Sequence, residues 1–257
     1  MNQSERRRYL INYLINEHKE YKNIEIPNDS NSQKYLLRSL MNVRVPGDIS
    51  KEFLDIQDEY LKEENLNKGI VTIDDIERLQ PDLYLYKGDI TRLKADAIVN
   101  AANSGMTGCY IPSHNCIDNC IHTFAGIELR NYCDQLMKKQ GHQEPTGKAK
   151  ITPAFNLPCN YVIHTVGPIV DGTLTNKHKD LLKSCYLECL KLANENNIDS
   201  IAFCCISTGV FMFPNDIACE IAINTVKEYK KDNNSNMKVI FNVFKDEDER
   251  LYRERLK

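Results

Sequence analysis

The sequence predicts an α/β protein with helices on both faces of a central sheet. Three observations carry that prediction. From Pro81 onward, short apolar strand-like runs alternate with stretches whose apolar residues recur at helical spacing. One run, Ile201 to Ile206, is apolar without interruption, as in a strand buried on both faces. Polar loops follow three of the strands at their carboxyl ends, which is where open α/β sheets bind ligands.

Residues 1 to about 80 read as helices and turns. The first helix turns Leu10, Ile11, Leu14 and Ile15 to one face. Pro27-Asn28-Asp29 is a turn signal. Ser30 and Gln33 have capping-box spacing and open a second helix with Leu36, Leu37, Leu40 and Met41 inward. Pro46-Gly47-Asp48 ends it. A third helix carries Phe53, Ile56, Tyr60 and Leu61, and Thr72 with Asp75 marks a short fourth start. No chemical signature lies here, and the region reads as a helical cap.

Beyond it, Leu83–Tyr86 and Ala97–Val99 read as strands. Asn115 to Gln140 is helical, with Gly126 as a weak point. Ala149–Thr152 and Tyr161–Val166 are strands, and Leu181, Leu182, Cys185, Cys189 and Leu192 form a helical stripe. Pro214 suits the first turn of a helix that buries Ile217, Ala218, Ile221 and Val226. Val239 to Phe244 is the last strand, and Asp246 to Leu256 a charged closing helix.

Composition narrows the function. A net charge of −3 provides no global basic field, and there is neither Trp nor a basic-aromatic stripe, so a nucleic-acid partner is not expected. No stretch approaches the roughly 20 apolar residues of a membrane span. Arg6-Arg7-Arg8 precede a run too short and polar for a signal peptide. The ten cysteines show no small disulfide framework, so a cytoplasmic chain with reduced thiols is expected. Cys120, Cys133, Cys159, Cys185, Cys189, Cys204, Cys205 and Cys219 read as small buried hydrophobes.

Cys109 and Cys116 read differently. With His114 they form a C-x4-H-x-C set on a loop marked by Gly108 and Pro112. Thiolate and imidazole are zinc ligands, and three of them leave one tetrahedral position open, the pattern of a catalytic site. Asp118, two residues on, could act as base or orienter. A structural zinc would need a fourth ligand, for which Asp118, Cys120 and His122 are the near candidates. His122 and His164 sit among apolar residues and read as satisfied core histidines. Two further loops belong with this one. Gly88-Asp89-Ile90 follows the Leu83 strand, and Ser207-Thr208-Gly209-Val210-Phe211 follows the Ile201 run, with Gly209 allowing close backbone approach to an anion.

Four motifs in chain order resemble those of macrodomains. They are Gly88-Asp89-Ile90-Thr91, Ala97–Asn103, Tyr161–Pro168 and Ile206–Phe211. The resemblance spans about Leu83 to Lys257, and macrodomains bind ADP-ribose or hydrolyse it from proteins. The usual glycine run of the second loop is replaced here by Cys109 to Cys116. With the helical N-terminal extension, this is similar to a zinc-containing branch in microbial pathogens, often encoded beside a sirtuin-type ADP-ribosyl transferase. Its members are ADP-ribosyl-protein hydrolases.

The resemblance implies a three-layer α/β/α macrodomain with a mixed sheet over residues 81–257, after a helical extension at 1–80. It implies that Asp89 and Ile90 hold adenine, with Phe244 stacked on the base. Ser207, Thr208, Gly209, Val210 and Phe211 would cradle the diphosphate. Asn103 would contact the distal ribose and Asn100 brace the loop. Asp118 would be the catalytic aspartate, with Asn103 beside it, and Cys109, His114 and Cys116 would hold one zinc ion. The implied substrate is a protein mono-ADP-ribosylated on Asp or Glu, with a lipoyl-carrier-type protein as the family's example and free ADP-ribose as product. A non-catalytic ADP-ribose reader and a hydrolase of small ADP-ribose esters are the alternatives.

Overall fold

The computed structural model describes residues 1–257. Three helices form the N-terminal layer: α1 (Gln3–Asn16), α2 (Ser30–Val43) and α3 (Lys51–Asn67). Their inward faces make a separate small core, built from Leu10, Leu14, Leu37, Leu40, Phe53 and Leu61 among others. α1 opens with a capping box between Asn2 and Glu5. α2 corrects the expected cap by one residue. Asp29, not Ser30, is the N-cap, accepting from the Ser32 amide. Gln33 is buried instead, donating to Pro27 O at 2.7 Å and accepting from Arg7 Nε at 3.0 Å. Thr72 and Asp75 form their capping box, but only a single 3-10 turn, Ile73–Asp75, follows.

The sheet has seven strands: β1 (Glu77–Gln80), β2 (Leu83–Lys87), β3 (Ala97–Ala102), β4 (Ala149–Pro153), β5 (Tyr161–Val166), β6 (Ser200–Phe203) and β7 (Lys238–Val243). Their order is β1-β2-β7-β6-β3-β5-β4. The five inner strands run parallel, and the two edges are antiparallel. The sheet is therefore mixed, as expected, and is flanked by α4 (Ile117–Ala125), α5 (Ile127–Gln140), α6 (Asn176–Glu195), α7 (Asn215–Asp232) and α8 (Asp246–Leu256). No helix is long and apolar enough to cross a membrane.

Four local expectations are corrected. β1 has no apolar alternation and escaped the sequence reading; an edge strand needs none, because it packs on one neighbour only. The Ile201 run leaves strand geometry after Phe203, although Cys204 and Ile206 stay buried. Pro214 occupies the cap position before α7, not its first turn. The stretch from Asn115 to Gln140 is two helices. Gly126 breaks it, with φ of 101° in the left-handed region that favours glycine.

The N-terminal layer finishes the helix ends at that break. Gln57 Oε1 accepts from the Ile127 amide at 2.9 Å, and Asn65 Nδ2 donates to Phe124 O at 3.3 Å and Asn156 O at 2.7 Å. A β-carbon on Gly126 would stand 2.7 Å from Gln57 Nε2. Gly126→Ala is therefore expected to cost about 1–3 kcal/mol, read as a lower urea midpoint at unchanged m-value.

Candidate active site

Parallel pairing aligns the carboxyl ends of β2, β7, β6 and β3 along one side of the sheet, and the loops singled out in the sequence all leave from there. β3 carries Asn100 on its buried face and leads to Asn103. Asp118 lies in the first turn of α4, 5% exposed. Asn100 Nδ2 donates to Asp118 Oδ1 at 2.8 Å, and Asn103 Nδ2 to Asp118 Oδ2 at 3.2 Å. Both carboxylate oxygens are thus taken by amides. Burial nevertheless pushes the Asp118 carboxyl up to about 6, against the downward pull of Asn100, Arg130 and Asn103.

The amide of Asn100 is itself set from behind. Asn100 Nδ2 also lies 3.1 Å from His164 Nδ1, and His164 Nε2 lies 3.0 Å from Thr152 Oγ1. An amide nitrogen only donates, so His164 Nδ1 accepts and its proton sits on Nε2, directed at Thr152. Burial lowers His164 to about 3, keeping it neutral. His122 departs from expectation. It is buried, but neither ring nitrogen has a partner. Its Nε2 is 3.6 Å from Asp118 Oδ1, a separation that would suit an ion pair, yet burial drives its pKa well down and leaves it neutral. It approaches Gly108 closely: a β-carbon there would lie 2.8 Å from the imidazole.

The ligand atoms of Cys109, His114 and Cys116 lie within 4.8 Å of one another, all on half-buried side chains. Tetrahedral zinc with bonds of about 2.3 Å to sulfur and about 2.0 Å to nitrogen spaces S and N about 3.6 Å apart. Cys109 Sγ and His114 Nδ1 are 3.6 Å apart. The donor set therefore fits such an ion. Cys116 is also the N-cap of α4, its sulfur accepting from the Asn119 amide at 3.4 Å, and burial pushes its thiol up to about 12. None of the three fourth-ligand candidates falls within this set. Cys120 Sγ meets Arg38 Nη2 at 3.5 Å, Asp118 is held by its two amides, and His122 groups with Cys133 and His164. Asn103 Nδ2 links the two halves of the site, donating to Gly108 O at 3.1 Å as well as to Asp118.

In the loop that follows β6, the amides of Gly209, Val210 and Phe211 donate to no acceptor within the protein. A β-carbon on Gly209 would meet nothing within 4 Å, so this glycine leaves room rather than relieving strain. Ser207 holds the loop's start with φ of 66°, and a β-carbon on Gly167 after β5 would collide with its hydroxyl. Asp89 Oδ1 accepts from the Thr91 amide at 2.9 Å and the Thr91 hydroxyl at 2.6 Å, while Ile90 is buried. Phe244 follows directly on β7. Lys87 pairs with Val243, and the Gly88 amide donates to Val243 O at 3.0 Å, so Phe244 sits beside the Asp89 loop with 78% of its surface exposed.

Sequence reasoning missed His164 as the partner of Asn100 and Thr152 as the partner of His164, and it missed Arg130. Arg130 donates to Thr107 O at 2.7 Å and to Cys109 O at 3.4 Å, and so touches the metal-type loop. No local signal marks these residues; their register on neighbouring strands brings Thr152 and His164 into place.

A mixed sheet flanked by helices, with a buried aspartate and free amides at its strand ends, defines a three-layer α/β/α domain. A family model described as "Macro domain" matches residues 99–222. The chain is 59% identical over 256 residues to a protein-ADP-ribose hydrolase of Treponema medium, covering 98% of each. It is 47% identical over 251 residues to one of Staphylococcus aureus, covering 96% of this chain and 93% of that one. The Oceanobacillus iheyensis macrodomain with ADP superposes at a TM-score of 0.63 with 33% identity, over 70% of this chain and 93% of that one. The Trypanosoma brucei macrodomain in complex with ADP-ribose gives 0.67 with 27% identity, over 85% and 95%. This chain belongs to the macrodomain family.

His164 titrates near 6.5 in the unfolded chain and near 3 when folded, so the unfolded state binds the extra proton in between. Its contribution to stability is complete above 6.5 and is lost as pH falls toward 3. Lowering the pH from 7 to 5 is expected to cost the wild type about 2 kcal/mol more than His164→Gln, read from urea unfolding at the two values.

Proposed function

We propose that this macrodomain is a protein-ADP-ribose hydrolase. It removes mono-ADP-ribose from Asp- or Glu-linked sites of modified proteins, with one zinc ion held by Cys109, His114 and Cys116. The observation that carries the reading is a buried carboxylate, Asp118, fixed by two amides beside a loop whose three ligand atoms lie within 4.8 Å of one another. The names and full-length identity of the relatives support the activity. A reader module needs neither the buried carboxylate nor the ligand set.

The residue roles are those the macrodomain resemblance implies, and the donors and acceptors at these positions are compatible with them. Asp89 Oδ2, free of the Thr91 contacts, accepts from the adenine amino group, with Ile90 adding a backbone contact. Phe244 stacks on the base. The amides of Gly209, Val210 and Phe211, with Ser207 and Thr208 at the turn, receive the diphosphate. Asn103 contacts the distal ribose. Asp118 takes a proton from water or orients the attacked group, and its raised carboxyl suits either exchange. A zinc ion, when bound, supplies Lewis acidity and a template for the distal ribose; two thiolates and a neutral imidazole make the site formally neutral, which favours positioning over strong water activation.

The division into residues 1–80 and 81–257 rests on the separate small core of the helical layer, although β1 and the Val71–Leu93 bridge tie the two parts together. Ten free thiols suit a reducing compartment such as the cytoplasm. The sequence resemblance adds a lipoyl-carrier-type protein as substrate and a sirtuin-type transferase as its modifier.

The test is ADP-ribose release from a protein mono-ADP-ribosylated on Asp or Glu, with and without a strong zinc chelator. Release that stops with chelator is expected; ADP binding without any release would point to a reader. Asp118→Asn is expected to lower turnover about 10²- to 10⁴-fold, with ADP affinity kept in titration calorimetry. Phe244→Ala is expected to weaken ADP roughly five- to hundredfold, the effect of losing one base-stacking ring.

A further inference from the structure

We infer that the N-terminal helical layer is a positioning element of the metal site, acting through Arg38, Ser39 and Asn42 of α2 and through Arg130. The inference rests on the reading of Cys109, His114 and Cys116 as metal ligands.

The ligand loop runs from Asn103 to Cys116 without regular secondary structure. It contains two non-glycine residues in the left-handed region, Met106 at φ of 64° and Ser113 at φ of 51°. Such residues persist only where their surroundings over-determine them. For Ser113, next to the ligand His114, the surroundings are α2. The Ser113 amide donates to Asn42 Oδ1 at 2.9 Å, and its hydroxyl pairs with Ser39 Oγ at 3.0 Å. The His114 carbonyl accepts from Arg38 Nη2 at 2.7 Å. Arg38, Ser39 and Asn42 share one helix face by spacing, so a single helix grips both residues.

Two further contacts reach Cys109. Arg38 donates to Asn119 Oδ1 at 3.0 Å, and Asn119 Nδ2 donates in turn to Cys109 O at 3.3 Å and Ile111 O at 2.9 Å. Arg130, 4% exposed, bonds the carbonyls of Met41, Asn42 and Arg44 at 3.1, 2.7 and 2.7 Å. These are carbonyls that a helix end leaves without partners. The same guanidinium donates to Thr107 O and Cys109 O, so the carboxyl end of α2 and the first ligand are fastened to one rigid fork. Asn42, 1% exposed, is anchored by donating to Thr123 Oγ1 of α4. The loop is thus held on one side by α4 and α5, through Asn119 and Arg130, and on the other by a layer outside the region matched by the family model.

The test measures zinc affinity of the full chain by competition with a chromophoric chelator. Asn42→Ala and Arg38→Met are expected to bind zinc about 10- to 100-fold more weakly, the usual effect of removing an outer partner of a ligand. Ser39→Ala, which removes one hydroxyl contact, is expected to lose about fivefold and keeps the test open if Asn42→Ala does not fold. ADP affinity stays at the wild-type value in all three. Leu37→Ala is the control, since it opens the small core on the same helix without touching the loop. Variants that bind zinc like the wild type overturn the inference, as does an equal loss in Leu37→Ala at matched thermal midpoint. A wild type that takes up no zinc overturns the metal reading itself, and the two failures are told apart by that first measurement.

Discussion

The site depends on one constraint: a carboxylate cannot stay buried unless donors replace the water it loses. Asp118 meets it with two amide nitrogens, one on each oxygen. Those donors come from β3 and from the turn that follows it, while the acid comes from α4. The bond pair therefore fixes the angle at which helix meets strand, and with it the direction of the intervening loop. The same amide of Asn100 is set from behind by a neutral His164, which accepts on Nδ1 and directs its Nε2 proton toward Thr152.

Parallel strand order does the rest of the gathering. Because β2, β7, β6 and β3 point the same way, their exits form a row: Asp89 and Phe244 at one end, the amides of residues 209–211 in the middle, and Asp118 with the ligand loop at the other. On the proposed reading, an extended ligand with an aromatic base, a central anion and a sugar at its far end would lie along that row in order. The free amides suit an anion better than side-chain cations would on a chain of net charge −3, since they add no mobile charge and cost no side-chain entropy on binding.

The N-terminal layer explains how an irregular loop keeps its conformation beside His114. A left-handed serine beside His114 would relax in isolation; here α2 supplies a partner for its amide and its hydroxyl. The layer also finishes α4 and α5 where Gly126 separates them, through Gln57 and Asn65. Its contribution is chiefly polar at this boundary. Its apolar residues form their own small core, to which α5 adds Ile127.

By itself, the sequence determined the α/β class, most element positions and the clustering of Cys109, His114 and Cys116. Cys109, His114 and Cys116 span eight positions, and Asp118 follows within one helical turn, so their proximity is enforced by chain connectivity. The alternation of strands and helices is legible for a similar reason, because periodicity is a local property. Tertiary structure decided the remainder. Thr152, His164 and Asn100 meet only because β4, β5 and β3 pair in one register. Arg38 and Arg130 reach the loop from residues 76 and 21 positions away, and polar β1 is a strand only because β2 offers it an edge. Hydrogen-bond partners of this kind carry no periodic signal, and which donors face a buried acceptor is settled only when the layers pack.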